Sequence, residues 1–371
     1  MKQLVRSALP ALALALPAIV SAQGGAPSGV TLYGVIDSGV EYITNVGAAG
    51  GALKRVPTNT SSAPSRLGFR GSEDLGDGLS AVFTLESQIG VDTGTLLNGG
   101  RAWGRQAWVG LSGPWGTFSL GRQNTMMFWV MLDASILGPN AYGIGSLDSY
   151  LPNARADNVI AYRGTFSGFT AGATFSPGRD AVNAGPSPAG TNCPGENAAD
   201  TSACREWSVL LKYDAPTWGV AASVDRLNGG PGAFGGLTSS DLTDKRSIVN
   251  GWAKFGDWKV GAGVERRVNL GSAATPKSDL FFVGFSVPVA ALVVLDAEAY
   301  KLDFKDSANG AKLLALRATY NLSRRTAVYV TAGHIKNDGA LALSASGGAP
   351  GSSPVAGASQ SGVLAGIRHA F

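Results

Sequence analysis

Apolar and polar residues alternate along most of this chain with a period of two, the pattern of strands that send successive side chains to opposite faces. Leu67 and Phe69 share one face of a segment whose other face carries Arg66, Gly68 and Arg70. Leu79, Ala81, Phe83 and Leu85 oppose Ser80, Thr84, Glu86 and Gln88. The scheme recurs from Phe169 to Phe175, Trp207 to Tyr213, Trp218 to Val224, Trp258 to Val264, Phe281 to Val287 and Leu314 to Tyr320. About sixteen strands are expected: 30–45, 63–73, 79–90, 101–112, 117–123, 156–165, 169–177, 205–214, 218–228, 247–255, 258–269, 277–288, 291–304, 310–321, 326–337 and 360–371. Segment 101–112 places Trp108 on the apolar face, and segment 326–337 has no clear parity. Short connections such as Ser167–Gly168 and Gly256–Asp257 alternate with long ones such as Val46–Ser62, Val91–Gly100 and Gly178–Cys204.

Composition decides what the alternation means. Charged residues make up 15% of the chain, yet mean hydropathy is only +0.10, and no long apolar run survives uninterrupted. A helical membrane protein would show continuous apolar spans. A transmembrane β-barrel hides its apolar surface by alternation, and its short turns gather on one rim and long loops on the other. A soluble β-sandwich gives no reason for that alternation of loop lengths, and no fixed repeat of a solenoid is visible. Aromatic residues at the ends of many apolar faces suit the two interfaces of a membrane. The expected fold is therefore all-β: a transmembrane antiparallel β-barrel of about sixteen strands.

The N-terminus reads as a secretory leader. Lys2 and Arg6 precede an apolar run from Ala8 to Val20 and an Ala-x-Ala-like site at Val20-Ser21-Ala22, so residues 1–22 are expected to be removed and 23–371 to form the barrel. Removing Lys2 and Arg6 takes the 30 basic residues to 28 against 26 acidic ones, which is no nucleic-acid-binding balance. Cys193 and Cys204, the only cysteines, lie in a Gly/Pro/Asn-rich stretch of an exported chain and are expected to form a disulfide that ties a surface loop. Two histidines, His334 and His369, leave little for metal or triad chemistry, and neither a metal nor a cofactor is expected. A barrel enzyme would need a nucleophile beside a histidine or a pair of acids. Asp74 and Asp77 fall in a turn, and Asp296 and Glu298 on a lumen face. A substrate-specific channel or an adhesin is the third class, its signature an aromatic slide or a long structured surface loop such as Gly178–Cys204.

One connection stands apart. Asn124 to Ala154 is too long and too apolar for an exposed loop, with Met126, Met127, Phe128, Trp129, Met131 and Leu132 in close succession. Such a segment either folds into the barrel or forms a short amphipathic helix on a soluble core. Folded inward, it carries Asp133 and Asp148 into the lumen, where Arg66, Arg105 and Arg155 on the surrounding strands would face them.

Several stretches resemble Gram-negative general porins. Val30-Thr31-Leu32-Tyr33-Gly34-Val35-Ile36-Asp37 resembles their opening strand, and Ser65-Arg66-Leu67-Gly68-Phe69-Arg70-Gly71-Ser72-Glu73-Asp74-Leu75-Gly76-Asp77-Gly78-Leu79 their second strand and first short turn. Arg105–Leu111 followed by Gly116–Gln123 is similar to the hairpin before their constriction loop, and Phe371 is last, as in these porins. The resemblance implies a homotrimeric sixteen-stranded outer-membrane barrel with its third long loop folded into the pore. It implies passive diffusion of small hydrophilic solutes and ions, and the excess of basic groups expected at the neck suggests a mild anion preference. It places a basic cluster on Arg66, Arg105 and Arg155 and a loop acid at Asp133 or Asp148. Lipid with lipopolysaccharide would surround such a barrel, and the assembly machinery would read the strand ending in Phe371. The enterobacterial branch has a lysine where this chain has Val35, and its Pro-Glu-Phe motif is absent here.

Overall fold

A computed structural model describes residues 28–180, 192–233, 235–347 and 351–371. The expected leader, residues 1–22, lies outside the described residues. Among the described residues nineteen strands form in chain order. They are β1 (Gly29–Val46), β2 (Gly51–Arg55), β3 (Arg66–Gly76), β4 (Leu79–Gly90), β5 (Thr95–Leu96), β6 (Gln106–Gly113) and β7 (Gly116–Asn124). After the third long loop come β8 (Arg155–Ala156), β9 (Ile160–Phe166), β10 (Phe169–Ser176), β11 (Glu206–Asp214), β12 (Trp218–Asn228) and β13 (Thr243–Phe255). The last are β14 (Trp258–Asn269), β15 (Lys277–Ala290), β16 (Val293–Phe304), β17 (Gly310–Asn321), β18 (Thr326–Asp338) and β19 (Ser359–Ala370). The short β2, β5 and β8 belong to the loops; the other sixteen make the wall.

Each wall strand pairs antiparallel with the next, and β19 returns to pair with β1 from Val35↔Ala370 to Ile43↔Gly362. Two bonds at 3.1 Å between the backbones of Gly34 and Phe371 complete the seam. Closure pairs both edges of the wall, which is what lipid demands of a sheet. Pro288 lacks a ladder donor and sits where the β15–β16 register shifts, the position a strand can yield to proline.

The surface is inverted relative to a soluble protein. Leu211 is 62% exposed and Val249 59%, whereas Glu206, Asp225, Arg246 and Glu265 are buried inside. Aromatics flank the short turns: Phe166 and Phe169 at one, Tyr213 and Trp218 at the next, Phe255 and Trp258 at a third. They form a belt where the wall meets the interface.

One parity differs from the sequence expectation, and one that the sequence leaves open is settled. In β6, Val109 and Leu111 face outward, while Trp108 is in register with Thr84 and donates to Gln106 Oε1 at 3.0 Å on the lumen side. The regular strand starts only at Gln106, so Arg105 reaches the lumen from the turn before it. In β18, Val328 and Val330 face outward and Tyr329, Thr331 and Ile335 inward. The parity is hidden because the inner face here is also partly apolar.

Candidate functional site

The 124–154 connection folds into the barrel. Its first part is α1 (Met126–Ala134), nine residues that are apolar nearly all round and so must be buried. A helix leaves backbone donors and acceptors unpaired at its ends, and here lumen side chains of the wall take them. Ser208 Oγ accepts from Met126 N at 2.8 Å and Lys259 Nζ donates to Asp133 O at 2.8 Å, while between the ends Asn250 Nδ2 also donates to Val130 O at 2.7 Å. Gly261 leaves the room: a Cβ there would run into the Ala134 backbone. Beyond the helix, Leu137 N donates to Glu298 at 2.7 Å. Tyr142 lies over Gly333 and Gly362 and donates to Glu41 at 2.8 Å. The loop thus lies along the β11–β14 wall and reaches β16 and the β1–β19 seam.

The first long loop also turns inward, which the sequence reading does not anticipate. Asn140 Nδ2 donates to Ser62 O at 3.0 Å, Ala141 N to Thr60 O at 3.2 Å, and Arg317 Nη1 to Ser61 O at 2.9 Å.

An open cavity of about 740 Å³ remains between these loops and the wall of β3, β4 and β6. Arg66, Glu86 and Arg105 are its charged lining residues. Glu86 accepts from Arg105 Nε at 2.5 Å and from Tyr33 Oη at 3.0 Å, and Arg66 Nε lies 3.5 Å from it. Gly68, in register with both Tyr33 and Glu86, gives the tyrosine ring its space. Two guanidiniums to one carboxylate leave this side of the passage net positive.

Arg155 stands behind that row rather than in it. It is 2% exposed and donates to Asn98 Oδ1, Asn153 Oδ1 and the Pro152 carbonyl, and it is not among the lining residues. Arg101 and Arg122 extend the basic group: both bind Asp157, and Arg101 also binds Asp180 at 3.0 Å. The sequence alone does not single out Arg101, and it leaves Arg122, in the hairpin that resembles the porin one, as an ordinary lumen charge.

The loop acids are placed differently from expectation. Neither Asp133 nor Asp148 faces Arg66, Arg105 or Arg155. Asp133 pairs with Lys212 at 2.7 Å. Asp148 receives Arg246 Nε and Nη2 at 2.8 and 3.2 Å, and Arg246 also holds Asp244 at 2.9 Å. Tyr150 Oη donates to Asp225 at 2.7 Å, with the Arg246 guanidinium 4.3 Å from its ring centroid. The physical reason is how the loop lies: with α1 against β11–β14, its acids meet bases on that wall. Burial pushes the Asp148 carboxyl up, but the charges of Arg246 and Arg267 outweigh it and hold the group below the usual carboxylate range. For Asp133 burial wins over the Lys212 bond, and its carboxyl is raised. The acid opposite Arg105 is therefore Glu86 on the wall, a residue that parity places in the lumen without revealing its partner.

Cys193 and Cys204 form a disulfide with Cα atoms 5.2 Å apart. Both are buried with Leu227, Ala233 and Leu237 in the long-loop rim.

Comparisons with known proteins agree with this architecture. A family model described as Gram-negative porin matches residues 8–340. Outer membrane porin protein 32 of Delftia acidovorans is 32% identical, covering 95% of this chain and 98% of that protein. An outer membrane porin protein of Bordetella pertussis is 30% identical over 88% of this chain and 94% of its own length. Among solved structures, the anion-selective porin from Comamonas acidovorans superposes with a TM-score of 0.75 at 25% identity, covering 93% of this chain and all of that one. A closed sixteen-stranded wall, an apolar outer face and a match that spans most of the sequence lead to one conclusion: the chain belongs to the Gram-negative porins of the outer membrane.

Proposed function

We propose that the passage beside Arg66 and Arg105 is a water-filled channel for passive diffusion of small hydrophilic solutes and ions, with a mild preference for anions. One observation carries the preference: the passage is lined by two arginines and one carboxylate, while both loop acids are bound to the opposite wall. Fixed charge in a low-dielectric neck concentrates counter-ions. Arginine keeps its charge at any working pH. The anion-selective description of the Comamonas acidovorans structure supports the same reading. No bond-making step is needed. His334 and His369 lie on the outward parity of β18 and β19, bonded to Ser361 and Thr326, away from the passage. A homotrimer is the proposed assembly. Val40, Ala365 and Ile367 make an apolar strip on the outer face over the seam, a surface that suits contact with a second barrel. Lipid and lipopolysaccharide would cover the rest of the outer face.

Reversal potentials in a salt gradient across planar bilayers test the channel and its sign. The wild type should favour anions, and Arg105→Ala should lower the anion-to-cation permeability ratio about two- to tenfold, less at high salt. Arg317→Ala, whose side chain is bound to Asp296 outside the lining, should change it little. Selectivity that ignores Arg105 but follows Arg317 would show the passage is elsewhere.

A further inference from the structure

The passage has two unlike sides. Arg66 and Arg105 stand on the wall side with Gln88, Asn98 and Gln106. Phe128, Trp129, Leu132, Pro139 and Ala141 stand on the loop side. No acid of α1 or of the rest of the third loop lines it, because Lys212 and Arg246 hold Asp133 and Asp148 elsewhere. Leu132 is 39% exposed although most of α1 is buried, so hydrocarbon is presented to the passage itself. Trp129 is set in place twice. It packs edge-on against Phe128 with centroids 5.9 Å apart, and the Arg163 guanidinium sits 4.2 Å from its ring centroid.

An acid on the loop side would give cations a lane and repel any anion that leaves the arginines. An apolar face does neither. It gains from contact with solute surface that water covers poorly. We propose that the passage favours amphipathic anions, an acidic group carried on an aromatic or other apolar body, over fully hydrophilic anions of equal charge. The acidic group meets the guanidiniums of Arg66 and Arg105, whose planar donors fit carboxylate and sulfonate oxygens. The apolar body moves along Trp129 and Leu132. Such a preference presupposes the diffusion channel and names a solute class within it.

The test uses the full-length protein in planar bilayers with benzenesulfonate and methanesulfonate. Both are ionised at any working pH and cross lipid poorly. The readout is the concentration of each that halves the chloride current. Benzenesulfonate should act at about tenfold lower concentration than methanesulfonate, as expected for partial burial of one ring. Trp129→Ser and Leu132→Ser should each bring that ratio close to one. Arg105→Ala should weaken both sulfonates together and keep the ratio. Val249→Ala, on the outer face, should leave the wild-type ratio. A wild-type ratio near one in a channel that still conducts chloride overturns the proposal and leaves the channel standing. So does a preference that survives both loop variants. Folded, inserted protein that passes no current overturns the channel and the proposal together.

Discussion

Asp148 and Asp133 belong to one loop but differ in character: one carboxyl is held ionised by its surroundings, the other is pushed towards its neutral form. Asp148 sits below the usual carboxylate range because Arg246 and Arg267 outweigh its burial. A carboxyl lowered in this way stabilises the fold above its ordinary pKa and loses that contribution only as pH falls through the lowered value. The Asp148–Arg246 anchor therefore persists through mild acid. Asp133 is raised by burial despite Lys212, so it takes up a proton first. A raised carboxyl loses no stability on acidification; what disappears is a negative charge inside the lumen. Between pH 7 and about pH 4 the anion preference should rise, and Asp133→Asn should remove this part of the pH response. Reversal potentials at the two pH values check it. Asp148→Asn should act otherwise. Breaking one partner from a buried pair costs about 3–5 kcal/mol, and Asp244 at 2.9 Å from Arg246 keeps the loss towards the low end. The expected result is a noisier open current with little change in ion selectivity. A clean shift towards anions would put Asp148 back in the passage. At this scale Arg66 was readable from parity and resemblance, and Arg105 from resemblance alone, because the parity of its strand is the reverse of the expected one and the residue enters the lumen from the turn before it. The partner of each acid was not, since Lys212 and Arg246 lie far along the chain and only the closed barrel brings them to the loop.

Among the elements, α1 is the one whose position controls the passage. Its composition announces burial, but not the wall on which it rests. That wall is chosen by side chains scattered over β11, β13 and β14, namely Ser208, Asn250 and Lys259, together with the missing side chain of Gly261. None of these carries a local signal: in its own strand each is merely a polar or small residue on the lumen parity. The same loop explains why β18 is hard to read. Tyr329 and Ile335 are apolar on the inner face, and both belong to the core that the loop builds inside the barrel. Gly261→Val tests the arrangement. Overpacking of this kind costs about 1–3 kcal/mol, which a sixteen-stranded wall tolerates, while the helix must move off the wall and into the passage. Single-channel conductance should fall, with an undiminished amount of folded barrel on unheated gels. Unchanged conductance would mean that α1 does not bound the passage.

For the whole molecule the decisive demand is closure. Every wall strand except the first and last finds its partner next along the chain, so alternation and turn signals suffice to lay them down in order. The seam is different: β1 must wait for β19 at the other end of the chain, and until then two strand edges face lipid or water unpaired. Phe371 finishes that seam in two separable ways. Its backbone exchanges both bonds with Gly34 at 3.1 Å, and its ring, 42% exposed, lies on the outer face with the His369 ring 6.5 Å away. Deleting Phe371 removes both contributions and leaves the Gly34 donor and acceptor without partners. Phe371→Ala removes only the ring. We therefore expect deletion to lower the assembled amount in the outer membrane strongly, and Phe371→Ala to lower it less. Channels that do assemble should conduct as the wild type, because neither change touches the lumen. Should Phe371→Ala assemble normally while the deletion fails, the backbone seam alone matters. Should both assemble normally, the terminal residue has no part in closing the barrel.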